Sequence, residues 1–431
     1  MRETSEPGSE MTESTTLLEP IRRSERIAAI DILRGLALFG IIAANIRGFS
    51  GPAALYFEPQ PMWPGLGDRL AQAFIDTFVQ GKFIAIFSFL FGVGFGVQLT
   101  RAEERGGPFV AVYTRRLLGL FFIGLVHGLL IWWGDILVPY AITGFLLMFF
   151  RKKNNTTIIS WAIPLYLFPT ILIVFAVMVS VLTGDPVPGE PIPTTEEMQE
   201  IVSIYGGGAW TEIQAQRTYD AIKYNWGYVL LIVPSLLGLF LLGLLAWRKR
   251  IFEPSPESLP VYRRVMVWGF AIGITGNLIA TSIRWVSPEP LFPPSAAMLP
   301  VYLIQAVANP ALSAGYVALV IVLCQKVRWQ KRLAGGAAIG RTALSNYVLQ
   351  SILGTLIFYS YGLGLFGIGP AMLLIPTVLI FAFEWWASKW WTARWRFGPL
   401  EWAWRSVTYG RIQPMKRRPG SPGMRESGST E

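Results

Sequence analysis

His127 is the only histidine in this chain of 431 residues, and it stands inside the apolar run LFFIGLVHGLLIWWG. Asp135 follows eight positions later, again among apolar neighbours. A buried ionisable group is costly to keep, and inside a membrane span it counts by default as a functional hypothesis. Histidine is also the side chain whose ordinary pKa suits proton transfer near neutrality. Two readings follow for His127: a general base, or an imidazole donating to a carbonyl on a neighbouring helix. Eight helical positions would hold His127 and Asp135 about 12 Å apart along an axis. They form a direct dyad only if the chain turns sharply at Gly134.

Two further groups of polar residues interrupt apolar runs. In DILRGLALFGIIAANIRG, Asp31 and Arg34 are spaced i, i+3 and share a helix face, where they can pair. Asn45 and Arg47 mark the far end of the same run. In IGRTALSNYVLQSILG, the residues Arg341, Ser345, Asn346, Gln350 and Ser351 crowd the first turns of a span. Hydrogen bonding between helices accounts for two such groups; five point to a wetted cavity or a ligand contact. The glycines Gly92, Gly94 and Gly96 lack the spacing and the preceding strand of a nucleotide-binding loop, and small residues that let helices approach closely are the better account.

The elements that must carry these residues are membrane spans. The chain is 52% hydrophobic and only 15% charged, against roughly 25% charged for soluble domains. Apolar stretches of the length that crosses a bilayer recur throughout. Ten candidate spans are read at 28–47, 81–99, 116–133, 135–151, 158–182, 227–247, 265–284, 300–325, 342–361 and 369–388. The fold class is therefore all-α, a polytopic membrane bundle of about ten helices. The net charge of +10 is no sign of nucleic acid, because the basic residues fall in short clusters between spans. Those clusters alternate regularly from loop to loop, so the positive-inside rule places both termini in the cytoplasm. The single cysteine, Cys324, allows no intramolecular disulfide.

The organisation expected is a disordered tail over 1–26, a transmembrane domain over 27–388, and a disordered tail over 413–431. Two long outer loops, 48–80 and 184–226, interrupt the transmembrane domain. Loops of that length are functional or disordered, and a lid over an outward-facing site is the functional version. The stretch 383–410 holds seven of the 17 tryptophans. It reads as the end of the last span, a break at Pro399, and a Trp-rich interfacial segment over 389–412.

Five motifs carry a resemblance. They are DILRGLALFGI followed by Asn45, then FSFLFGVGF, then RRLLGLFFIGLVH with GDILVPY, then GRTALSNYVLQS, and last GPLEWAWRSVTYG. In this order they resemble the YeiB family of bacterial multi-span proteins, a domain of unknown function, over about residues 26–412. The family is grouped with transmembrane acyltransferases, among them the lysosomal heparan glucosaminide acetyltransferase and bacterial O-acyltransferases that modify surface glycans. The resemblance implies a multi-pass protein of the bacterial inner membrane. It would move an acyl group from cytoplasmic acyl-CoA, acetyl-CoA for example, to a cell-envelope glycan or a lipid-linked acceptor. No metal is expected. Arg34 matches the arginine that opens the group's first-helix motif. Eleven residues on, where the bacterial enzymes carry a catalytic histidine, this chain has Asn45, which cannot act as a base. His127 would take that role from another helix. Asn45 or Asn346 would donate to the developing oxyanion, and Arg34, Arg115 and Arg116 would hold the donor's phosphates. Asp31, Ser345, Asn346 and Gln350 would contact substrate. The competing readings of the same buried polar groups are a transporter or permease path for a small or lipid-like substrate, and a membrane component with no chemistry of its own.

Overall fold

The computed structural model describes residues 28–56, 63–188, 193–253, 255–287, 289, 291 and 293–416. The expected tails over 1–26 and beyond 416, and parts of both long loops, lie outside those residues. Sixteen α-helices make up the described chain, with no β-strand among the described residues. The first five are α1 (Ala28–Ser50), α2 (Leu66–Phe78), α3 (Lys82–Glu104), α4 (Phe109–Val126) and α5 (Leu137–Leu147). Next come α6 (Asn155–Thr183), α7 (Thr195–Gly207), α8 (Trp210–Asp220), α9 (Val229–Arg248), α10 (Leu259–Val286) and α11 (Leu299–Leu323). The chain ends with α12 (Val327–Arg332), α13 (Ala334–Arg341), α14 (Ala343–Phe358), α15 (Leu374–Arg394) and α16 (Pro399–Tyr409).

Each of the ten expected spans falls on a helix, but they are unequal. Seven helical stretches are long and apolar enough to cross a membrane; α5 and α14 are shorter apolar helices. At 1.5 Å per residue, the 16 residues of α14 span only about 24 Å. The short pair matters, because α14 and the junction before α5 hold the groups described below.

Helix α1 lies at the centre of the bundle. It packs on α3, α13, α14 and α15 and buries residues on all sides. By contrast α6 turns most of its apolar side chains outward, as a lipid-facing helix does. The crossing of α3 with α9 explains Gly92 and Gly96, which face Phe240 and Trp247. A Cβ on Gly92 would fall 1.9 Å from the Phe240 carbonyl oxygen, so only glycine lets the two backbones meet.

The loop 184–226 is largely helical. Thr194 and Glu197 form a capping box that starts α7, and α8 follows. At the same end of the bundle the Asp76 carboxylate joins three helices. Arg47 of α1 reaches one oxygen at 3.4 Å and Arg284 of α10 reaches the other at 2.9 Å. The fully buried Lys82 ammonium donates to the Asp76 carbonyl at 2.6 Å.

Candidate functional site

Helix α4 does not run on into α5. At His127 it opens into a single π turn, His127–Ile131, closed by the Trp132 N–H on the His127 carbonyl at 2.9 Å. One extra residue in the turn widens it, a feature frequent at functional sites. Trp132 is then fully extended, with φ −154 and ψ 133. Its indole N–H and that of Trp133 both donate to the Gly48 carbonyl, at 3.1 and 3.2 Å, which ties the break to the end of α1. The chain reverses and Asp135 caps the start of α5, accepting the N–H groups of Leu137 and Val138.

This reversal replaces the 12 Å separation of a straight helix. His127 Nδ1 lies 3.0 Å from Asp135 Oδ1. The carboxylate accepts, so Nδ1 is the donor, and in the neutral imidazole Nε2 is then the acceptor. Ser351 Oγ, on α14, stands 2.8 Å from Nε2. Its other partner, the Tyr347 carbonyl, is at 3.4 Å, and a hydroxyl has one proton to give; the imidazole is the better acceptor. Asp135, His127 and Ser351 are each only 1% exposed. A carboxylate, an imidazole and a hydroxyl in one hydrogen-bonded row form the arrangement that activates a serine oxygen or draws a proton from it.

A broken helix inside a bilayer strands carbonyl groups that water cannot reach. Here α8 and the turn after it supply the donors. Gln214 reaches the Leu129 carbonyl at 2.7 Å and Arg217 the Ile131 carbonyl at 2.9 Å. Asn225 donates to the carbonyls of Trp133 and Asp135. The Trp226 indole lies against Gly128, where a Cβ would fall 2.8 Å from its ring. Its buried N–H has no hydrogen-bond partner among the described residues.

Toward the end of the bundle rich in Lys and Arg, a cavity of about 250 Å³ runs up beside this row. Five arginines line it: Arg34, Arg101, Arg116, Arg341 and Arg405. Only two carboxylates join them, Asp31 and Glu401. The deep wall is apolar and aromatic, with Phe87, Phe91, Tyr140 and Tyr347. Tyr347 links cavity and row, since its ring centroid is 5.0 Å from that of His127.

The structure sorts the expected residues. Asp31 and Arg34 pair at 3.4 Å and both line the cavity. Arg116 lies in the wall with its guanidinium 3.7 Å above the Trp404 ring, whereas Arg115 is exposed on another face of α4. Asn45 accepts from the Tyr56 hydroxyl at 2.8 Å and has no hydrogen bond to His127 among the described residues. Asn346 spends its amide on Thr342 and Ser388, and Gln350 donates to Glu384 at 2.8 Å. Ser345 donates to Glu401. These three are joined to neighbouring helices, and not to the row.

Several residues of the site carry little signal in the sequence. Ser351 is one of several polar groups on α14, with nothing to pair it with a histidine 224 positions away. Glu401, Trp404 and Arg405 sit in the stretch expected to be interfacial. In the structure α15 runs on to Arg394, the chain breaks before Pro399, and α16 closes one side of the cavity. The Glu401 carboxylate caps α14 through the N–H groups of Leu344 and Ser345, and the Trp404 indole donates to the Arg116 carbonyl at 2.7 Å. The fully buried Glu384, a carboxylate within FAFEWW, is legible in the sequence as an ionisable group inside an apolar span.

Comparison with known proteins agrees with the motifs. Residues 246–411 match the family model described as protein of unknown function (DUF418). The chain is 33% identical over 420 residues to "Uncharacterized protein YxaH" of Bacillus subtilis (strain 168), covering 93% of this chain and 98% of that one. It is 28% identical over 401 residues to "Uncharacterized protein YeiB" of Escherichia coli (strain K12), covering 89% and 96%. A 39.9 kDa protein from the amylase 3' region of Bacillus acidopullulyticus is 29% identical over 413 residues. With one helical architecture, one ordered set of motifs and a relative matched nearly end to end, this chain belongs to the DUF418 family of multi-pass membrane proteins that includes YeiB and YxaH.

Proposed function

We propose that the protein is a membrane acyltransferase that draws an acyl group from acyl-CoA in the cytoplasm and passes it to an acceptor across the bilayer. The observation that carries this reading is the buried Asp135–His127–Ser351 row standing beside an arginine-lined cavity. By the positive-inside rule the basic end faces the cytoplasm, where acyl-CoA is found.

The two parts suit the two ends of such a donor. Guanidinium groups recognise phosphates through short, charge-assisted hydrogen bonds, and five arginines face the cavity. Arg116 lies eleven helical positions before His127, roughly 16 Å along an axis. A ligand spanning that interval needs an anionic head, a slender arm and a reactive end, and acyl-CoA has all three. Asp135 fixes the imidazole tautomer so that Nε2 is the accepting nitrogen. His127 takes a proton from the attacking hydroxyl and returns one to the leaving group, the work of a general acid–base. Burial of the row keeps water from hydrolysing the activated acyl group.

The acceptor side rests on the far end of the row, beneath α7 and α8. A cell-envelope glycan or a lipid-linked acceptor would approach from that side, where the π turn, Trp226 and α8 cover the row. The test is incubation of the purified protein, in lipid nanodiscs, with radiolabelled acetyl-CoA and an envelope extract. Label should appear in extract material, and His127→Gln should abolish it. Wild-type protein that neither binds nor turns over acetyl-CoA would rule the reading out.

A further inference from the structure

We infer that Ser351 is the covalent carrier of the acyl group, so that transfer proceeds in two half-reactions through an ester on its oxygen. The inference rests on the acyl-donor reading above. It begins from what His127 touches. Nδ1 is committed to Asp135, and the partner of Nε2 among the described residues is the Ser351 hydroxyl at 2.8 Å. A base acts on the proton within its reach, and that proton belongs to the protein.

The position of Ser351 supports the same conclusion. It lies ten positions after Arg341 on the helix that carries cavity residues Ala343, Leu344 and Tyr347. On the other side the π turn, Trp226 and α8 cover the row. In direct transfer the acceptor nucleophile would have to cross the row to reach the thioester on the cavity side. A covalent intermediate on Ser351 removes that need, because the acyl group is held on the row while the base works on one end of the site at a time.

The chemistry balances without any further reactant. In the first half-reaction Ser351 Oγ attacks the thioester carbonyl as its proton moves to His127 Nε2. The C–S bond breaks, and the departing thiolate takes that proton from Nε2–H. In the second, the acceptor hydroxyl or amine attacks the ester carbonyl and gives its proton to Nε2. The bond from the acyl carbon to Oγ breaks, and the serine oxygen recovers the proton. Asp135 keeps its hydrogen bond to Nδ1 throughout and stabilises the imidazolium formed in each step.

The experiment uses full-length protein in nanodiscs with [14C]acetyl-CoA and no acceptor. Three readouts are taken: acetyl-CoA binding, peptide mass spectrometry, and, in a parallel incubation with unlabelled acetyl-CoA, exchange of [3H]CoA into acetyl-CoA. Wild type should bind acetyl-CoA, carry one acetyl group on the peptide holding Ser351, and catalyse the exchange. Ser351→Ala should lose adduct and exchange, and Ser351→Cys should carry the acetyl as a thioester released by hydroxylamine. His127→Gln should slow adduct formation on the order of 10²–10⁴-fold. Wild type that binds acetyl-CoA but shows no adduct at Ser351 overturns the inference while leaving the donor reading in place, as does exchange persisting in Ser351→Ala. Absence of acetyl-CoA binding overturns both.

Discussion

The molecule holds two buried polar clusters that look alike in composition and differ in what they can do. Around Asp76 the carboxylate is saturated with donors: its oxygens accept guanidinium N–H groups from Arg47 and Arg284 and the Gln72 amide, and Lys82 is held on the Asp76 carbonyl. The cluster joins α1, α2, α3 and α10, and no imidazole stands in it. Around His127 the order runs from a carboxylate through an imidazole to a neutral hydroxyl. That row can pass one proton back and forth with no change in its hydrogen-bond partners. The contrast teaches that burial and charge alone do not mark a site. What marks it is a titratable group placed between a fixed anion and a transferable proton, beside a space that a substrate can enter.

Several substitutions sharpen or break this contrast. The largest effect is expected for His127→Gln, with turnover down on the order of 10²–10⁴-fold and only a small change in melting temperature. His127→Ala should lose activity equally and also stability, because it empties a packed site. Asp76→Ala belongs to the other cluster. It takes the shared carboxylate from Arg47 and Arg284, and breaking such a buried pair costs about 3–5 kcal/mol. Thermal unfolding in nanodiscs reads that loss, and donor turnover per folded molecule should stay near wild type.

A middle-sized effect is expected at the cavity mouth. Arg405→Gln should raise the Kd for acetyl-CoA about tenfold, the size of one lost charge-assisted contact at about 1.4 kcal/mol. Arg115→Gln, on the exposed face, should leave Kd unchanged. An equal effect of both would show that the cavity is not the donor site. The smallest stability effect is expected at Trp226. Its indole N–H is buried without a partner among the described residues, so Trp226→Phe should change unfolding by less than about 1 kcal/mol. A clear loss of turnover in that stable variant would show that the N–H serves the reaction.

Much of the frame was legible from composition, because a span needs only length and apolarity to declare itself. His127 and Asp135 were legible as single residues for the same reason: charge and imidazole stand out among Leu, Ile and Phe. Their contact was not, since it depends on a π turn and a reversal over residues 127–136. The hydropathy of LLIWWGDIL does not report that geometry, and Gly134 is its one visible hint. Asn45 and Asn346 were expected to face the reaction, but their hydrogen bonds among the described residues run to Tyr56, Thr342, Ser388 and the Ile339 carbonyl. An amide on a helix reads the same whether it meets a ligand or another helix. Ser351 went unmatched because its partner lies on a helix distant in sequence, and only packing brings the two together. The role of α16 was hidden by its tryptophans, whose taste for the membrane interface masked Glu401 and Arg405.

The account is tested most directly by placing His127→Gln and Asp76→Ala side by side in one nanodisc preparation. Acetyl-CoA turnover and melting temperature are measured for both. A crossed result is predicted: His127→Gln keeps its melting temperature and loses turnover, while Asp76→Ala melts early yet turns over normally per folded molecule. Retention of full turnover by His127→Gln would contradict the account, because glutamine can hold the hydrogen bond of the imidazole but cannot take its proton.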